Sequence, residues 1–234
     1  MKKITMKDIR KQDYYYSEAI KTLRSNIQFS GSDIKTILLT SCYPNEGKSD
    51  ITVSLAKELG EIGKKTLFLD ADIRKSTLRS RFGIEEETLG LSEFLTGQAG
   101  VSDILYNTNF PGMDIVFSGR SAPNPSGLLG SQMFKSFLDA LRDVYAYILI
   151  DTPPIATVID AAVVAQNVDG AVLVVESEAI SYRVAQRALE QLRMSNCPII
   201  GGVLNKVDTR KDKYYSHYYN KYYSKYGYSN KSGE

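Results

Sequence analysis

Two cysteines, Cys42 and Cys197, are all that this 234-residue chain contains, and neither has a neighbour at metal-ligand spacing. A disulfide scaffold and a cysteine-bound metal are thereby excluded, and a reducing compartment is the better match. Long apolar runs are also missing. None approaches the about 20 residues that cross a bilayer. The opening stretch MKKITMKDIRKQDYYY has no apolar segment behind its lysines, so no secretory signal is expected and the chain reads as cytoplasmic. Charge of one sign is lacking too: the formal net charge is only +2. It is unevenly spread, because residues 210–234 hold six Lys or Arg against two acids and contribute +4, leaving −2 for residues 1–209. A slightly acidic body gives no support to a nucleic-acid partner. The basic run Lys2, Lys3, Lys7, Arg10 and Lys11 suits a solvated face, with anionic lipid as the alternative.

The last 25 residues have no Leu, Ile, Val, Phe or Met, yet they carry eight of the sixteen tyrosines: Tyr214, Tyr215, Tyr218, Tyr219, Tyr222, Tyr223, Tyr226 and Tyr228. A segment of this composition cannot build a core and is expected to stay mobile in water.

The body is long enough for one α/β domain with a substantial core. Runs such as ILLT, YILID and AVLVVE are apolar on both faces, as strands between two helical layers must be. Strands are expected at Thr36–Thr40, Thr66–Leu69, Asp114–Phe117, Tyr147–Ile150, Ala171–Val175 and Ile199–Val203. Helical patterns fall at Tyr16–Phe29, Ser49–Ile62, Ser131–Asp143, Ile159–Asn167 and Tyr182–Met194, with a short one near Gly90–Gly97. This alternation predicts a mostly parallel sheet with helices on both faces and ligands beyond the carboxyl ends of the strands. Three segments follow: 1–30 with an N-terminal helix, a nucleotide-binding domain at 31–209, and the tyrosine-rich tail at 210–234.

Between the first strand and its helix lies Pro44-Asn45-Glu46-Gly47-Lys48-Ser49, a strand–loop–helix with GKS at the turn. That is the context of a P-loop, whose backbone N–H groups and helix dipole receive phosphates. Lys48 is expected to bridge the β- and γ-phosphates and Ser49 to hold Mg²⁺. The first glycine of the usual pattern is absent, with Ser41 or Cys42 near its place. Two further strands end in acids, Asp70-Ala71-Asp72 and Asp151-Thr152-Pro153-Pro154. Carboxylates at buried strand ends need a cation or hydrogen bonds. A shared Mg²⁺–nucleotide site accounts for all three, and helix capping is the plainer alternative. A row of phenols following such a domain marks the tail tyrosines as phosphate acceptors.

PNEGKS, LDADIRKS, ILIDTPP and the terminal tyrosine cluster, in this order, resemble the bacterial tyrosine kinases (BY-kinases) of capsular and exopolysaccharide biosynthesis. The likeness is to the Gram-positive form with a separate cytoplasmic kinase chain. It implies a P-loop NTPase fold, ATP and Mg²⁺, and autophosphorylation of the tail. Carried over by position, it gives Lys48 to phosphate, Ser49, Asp72 and Asp151 to the metal, and Asp70 to the incoming tyrosine hydroxyl as proton acceptor. Asn205 falls near the base of ATP, and Arg74 is placed either toward phosphate or on the surface. It also implies a membrane-spanning chain-length regulator as activator, a cognate tyrosine phosphatase and a ring of subunits. In such a ring each tail enters a neighbour's site, and accumulated phosphate breaks the ring by repulsion.

The chain departs from the family pattern at three places. Asp50 stands where a second Ser or Thr is usual, near the α-phosphate, and its charge weakens nucleotide binding unless it points away or pairs with a cation. Asn45 replaces a glycine, a mild change because Asn tolerates positive φ. Within Glu18-Ala19-Ile20-Lys21-Thr22-Leu23-Arg24, which resembles the oligomerisation helix E-x-x-R-x-x-R, Lys21 stands for the first arginine and loses its bidentate fork. Three other readings compete. A partition-type ATPase needs an early P-loop lysine that Ser41, Cys42 and Tyr43 do not supply. A GTPase finds its NKxD pattern in Asn205-Lys206-Val207-Asp208. A degenerate binding module would rest on Asp50, with the tail as an aromatic docking strip.

Overall fold

Alternation along the central strands divides their side chains between two cores. The computed structural model describes residues 2–8 and 14–208. The tyrosine cluster lies outside the described residues, as do Arg10 and Lys11 of the basic run. In chain order the elements begin with β1 (Lys2–Lys3), α1 (Tyr14–Phe29), β2 (Thr36–Ser41), α2 (Lys48–Glu61) and β3 (Thr66–Asp70). Three short helices and two strands follow: α3 (Leu78–Arg81), α4 (Leu91–Leu95), α5 (Val101–Ile104), β4 (Tyr106–Asn107) and β5 (Met113–Val116). The rest are α6 (Pro125–Leu129), α7 (Gln132–Arg142), β6 (Tyr147–Asp151), α8 (Asp160–Ala165), β7 (Gly170–Glu176), α9 (Tyr182–Met194) and β8 (Ile199–Asn205).

Among the described residues the strands form one sheet in the order β1-β4-β5-β3-β6-β2-β7-β8. Every pairing is parallel except β4 with β5, which are antiparallel across a short connection. Ile37 and Leu39 of β2, Phe68 of β3 and Leu149 of β6 face one way and pack with Ile51, Leu55 and Leu59 of α2 and Ile20 and Ile27 of α1. Their neighbours Leu38, Leu67, Leu69, Ile148 and Ile150 face the other way, onto Phe134, Leu138 and Leu141 of α7, Val164 of α8 and Leu192 of α9. The mostly parallel sheet expected from the sequence is therefore present, with helices on both faces.

The six expected strands all form, most of them a residue or two longer than the pattern suggested. The two-residue strands β1 and β4 are too short to carry a period and were not expected. Their presence changes the reading of the N-terminus. Lys2 and Lys3 pair with Tyr106 and Asn107, and Ile4 and Met6 are buried in the α1/α2-side core. Helix α1 lies on α2, with Arg24 3.2 Å from Glu58 and Lys21 2.8 Å from Glu18. The basic residues of the oligomerisation-like pattern thus have partners within the chain.

Candidate active site

Parallel strands β2, β3 and β6 end together, and three backbone bonds join their exits. Ala71 N–H donates to the Asp151 carbonyl at 2.8 Å, Ile155 N–H to the Ser41 carbonyl at 2.8 Å, and Thr152 N–H to the Leu39 carbonyl at 3.3 Å. The P-loop leaves from β2, the Asp70–Asp72 segment from β3 and the Asp151 segment from β6. The residues that the sequence spreads over more than a hundred positions therefore meet at one edge of the sheet.

Pro44 and Asn45 are exposed at the tip of the P-loop, whereas Glu46 is buried. Asn45 and Gly47 have φ of 68° and 85°, the left-handed conformation that curls a chain around an anion. Asn45 thus takes the place of a glycine in a conformation that Asn tolerates. A Cβ on Gly47 would lie 2.2 Å from Asn205 Nδ2. Gly47→Ala is accordingly expected to destabilise the fold by about 1–2 kcal/mol and displace Asn205, checked by thermal melting.

Glu46 is expected to meet nucleotide through its place in the P-loop backbone; its carboxylate points back into the protein. One oxygen accepts from Tyr43 N–H and the other from Glu176 N–H at 2.9 Å. Its contribution is to the loop's shape. Glu46→Ala leaves two backbone donors without their acceptor, and a loss of about 2–3 kcal/mol in urea unfolding is expected. Asn205 Nδ2 donates to the Glu46 carbonyl at 2.7 Å, and Lys206 Nζ reaches the Asn45 carbonyl at 2.6 Å and Glu176 at 2.8 Å. The first two residues of the NKxD pattern are thus braces of the P-loop.

At the start of α2, Lys48 Nζ is 2.7 Å from Asp151 Oδ1, and Ser49 Oγ donates to Asp151 Oδ2 at 2.6 Å. Asp151 is 2% exposed and stands opposite Asp70 in the β3–β6 register. Burial, and next the Asp151 charge, push Asp70 up to about 7, although Ser76 Oγ and Asp72 N–H both donate to it. Asp72 is half-buried, and its Oδ1 accepts from the N–H groups of Arg74 and Lys75; it closes a turn and does not cap the next helix, whose N-cap is Thr77. Arg74 lies at the surface, the second of its two expected placements, but it is not free there. It forms a bidentate pair with the fully buried Asp160 at 2.6 and 2.8 Å and ties the Asp72 turn to α8. Asp50 pairs with Arg81 of α3, the cation that the sequence reading required but did not locate.

Among the described residues, Ser49 and Asp151 bring oxygen donors together at this edge. Ser49 and Asp151 suit a hard cation such as Mg²⁺, which keeps much of its shell as water and phosphate oxygen. Among the described residues no group of three or more His, Cys, Asp or Glu is placed to hold a metal by protein side chains alone. Cys42 is buried beside this loop and its thiol is pushed up to about 11 by burial, so it is no nucleophile at neutral pH. Ser76, Arg81 and Glu176 are supporting residues that the sequence reading did not single out, and Lys206 entered it only through the NKxD pattern.

Residues 34–227 match the ParA family model, described as a NUBPL iron-transfer P-loop NTPase. Tyrosine-protein kinase CpsD of Streptococcus pneumoniae serotype 4 is 40% identical over 206 residues, which is 88% of this chain and 89% of that protein. Among solved structures, the kinase domain of Escherichia coli tyrosine kinase ETK has a TM-score of 0.80 at 28% identity, covering 84% of this chain and 77% of that one. The chimerical protein CapA2B2 has a TM-score of 0.77 at 34% identity, with 81% and 84% covered. These kinases share sequence or backbone with more than four-fifths of the chain, which therefore belongs to the bacterial tyrosine-protein kinases within the ParA-like P-loop NTPases.

Proposed function

We propose that the chain is an ATP-dependent tyrosine autokinase whose phosphate acceptors are Tyr214, Tyr215, Tyr218, Tyr219, Tyr222, Tyr223, Tyr226 and Tyr228. One observation carries the reading. A buried carboxylate pushed up to about 7, Asp70, stands across one strand register from Asp151, which holds both Lys48 and Ser49. A proton acceptor poised near neutrality is thereby set beside a phosphate-binding lysine.

In the proposed step a tyrosine oxygen attacks the γ-phosphorus as its proton passes to Asp70, and the bond to the β–γ bridging oxygen breaks to release ADP. Lys48 and the amides of the P-loop hold the phosphates in line and offset the charge that builds on them. Ser49, Asp151 and Asp72 would hold Mg²⁺ directly or through water, and the ion would supply positive charge to the phosphates. Asn205, at the P-loop, borders the base. ATP is the proposed nucleotide because Asn205 and Lys206 are spent on the loop rather than free to read guanine.

The kinase is proposed to work at the inner face of the membrane through a membrane-spanning activator of capsule or exopolysaccharide synthesis, to be reset by a tyrosine phosphatase, and to act as a ring. Among the described residues no helix is long and apolar enough to cross a membrane. Transfer between subunits is tested by mixing unlabelled wild type with ¹⁵N-labelled Lys48→Met chain and Mg²⁺–ATP. Phosphate on the labelled tail is expected, and its confinement to unlabelled chains would oppose the ring. The ParA family match favours one alternative, an ATPase switch without kinase activity. Steady ATP hydrolysis with no phosphotyrosine on either chain would support it.

A further inference from the structure

Asp50 places a carboxylate in the first turn of the helix whose N-terminus faces the phosphates, one residue after Ser49. Such a charge within a helical turn of a polyanion repels it. The acid is not left to solvent. The guanidinium of Arg81 pairs with it, and the two side chains are 38% and 22% exposed respectively.

Arg81 is delivered by an anchored turn. Leu78 and Phe82 on either side of it are buried in the same core as Ile51 and Val53 of α2. Lys7 N–H donates to the Phe82 carbonyl at 3.0 Å, and the Lys7 stem lies over Gly83, where a Cβ would meet its Cδ at 2.7 Å. The N-terminal segment therefore straps α3 against the P-loop helix. The other arginine of this turn, Arg79, is committed elsewhere, donating to the Glu86 carbonyl at 2.6 Å.

We propose that Arg81 is a positioning and charge-compensating residue for nucleotide binding, neutralising Asp50 so that the phosphates meet an ion pair instead of an acid. This rests on the Mg²⁺–nucleotide reading of the P-loop. Arg81 need not touch the nucleotide; it acts through Asp50.

The test is a double-mutant cycle on the full chain, read as affinity for Mg²⁺–ADP by calorimetry. Arg81→Ala is expected to weaken binding about tenfold, the scale of one poorly screened charge a helical turn away. Asp50→Ser/Arg81→Ala is expected to return to within about threefold of wild type, because removing the acid removes the need for its partner. A loss that persists in the double variant would show that Arg81 binds phosphate directly or only supports α3, and would overturn the proposal. So would unchanged binding by Arg81→Ala. Binding absent from wild type but present in Asp50→Ser would show an acid left uncompensated, with the same consequence. Binding absent from all four proteins would overturn the nucleotide reading itself, and the proposal with it.

Discussion

Asp70→Asn is expected to lower tyrosine phosphorylation about 100- to 10,000-fold while leaving Mg²⁺–ADP affinity within a few-fold of wild type. The residue is 1% exposed, and its partners Ser76 and Asp72 N–H hold it in place rather than neutralise it. A proton acceptor must be ionised to work, so the wild-type rate should rise with pH as Asp70 gives up its proton. The variant's residual rate should lack that rise. Stability moves in the opposite direction. The folded pKa lies above the unfolded value, so the stabilising contribution of protonated Asp70 is present in full at low pH and is lost as pH rises through about 7. Asp70→Asn removes that loss. At pH 8 it should stabilise the fold by up to about 4 kcal/mol, less the weakened Ser76 bond, and the gain should shrink toward pH 4. Urea unfolding at the two pH values measures it. A merely structural Asp70 would not join a gain in stability to a loss of rate.

Lys48→Met is the second large effect, and it has two separable parts. Lys48 and Asp151 form a pair with side chains 10% and 2% exposed, and breaking such a pair leaves a buried charge. Ser49 still donates to Asp151, so the expected loss is about 3 kcal/mol, the low end for a broken buried pair. Phosphoryl transfer should fall at least about 100-fold, because a preorganised cation is removed from the phosphates. Lys48→Met/Asp151→Asn should recover most of the stability, since both charges go together, yet remain inactive. Recovery of activity along with stability would mean that Lys48 serves the fold and not the phosphates.

The sequence disclosed the sheet and the P-loop because both are written in local pattern. ILLT, YILID and AVLVVE read as strands buried on both faces, and they are; Gly47-Lys48-Ser49 reads as a turn between strand and helix, and Gly47 does cap α2. Asp70 and Asp151 were legible as strand-end acids, but their placement opposite each other depends on the β3–β6 register, which no local pattern sets. The non-local pairs stayed hidden for the same reason. Arg81 answers Asp50 from 31 positions away, and Arg74 answers Asp160 from 86. The direction of the Glu46 carboxylate stayed hidden as well, because the curl at Asn45 and Gly47 turns it toward a backbone N–H of β7, 130 positions away. A segment such as β1 is fixed by two backbone pairings to β4 and leaves no trace in hydrophobic period.

The tail tyrosines carry the central claim, and mass spectrometry tests it most directly. Wild type and Lys48→Met would be incubated with Mg²⁺–ATP, with and without the cytoplasmic peptide of the membrane activator, and mapped as intact chains and peptides. The account predicts phosphate on tyrosines between Tyr214 and Tyr228 in wild type, increased by the activator and absent from Lys48→Met. ATP hydrolysis with no phosphate on any of these tyrosines, even with the activator present, would contradict it.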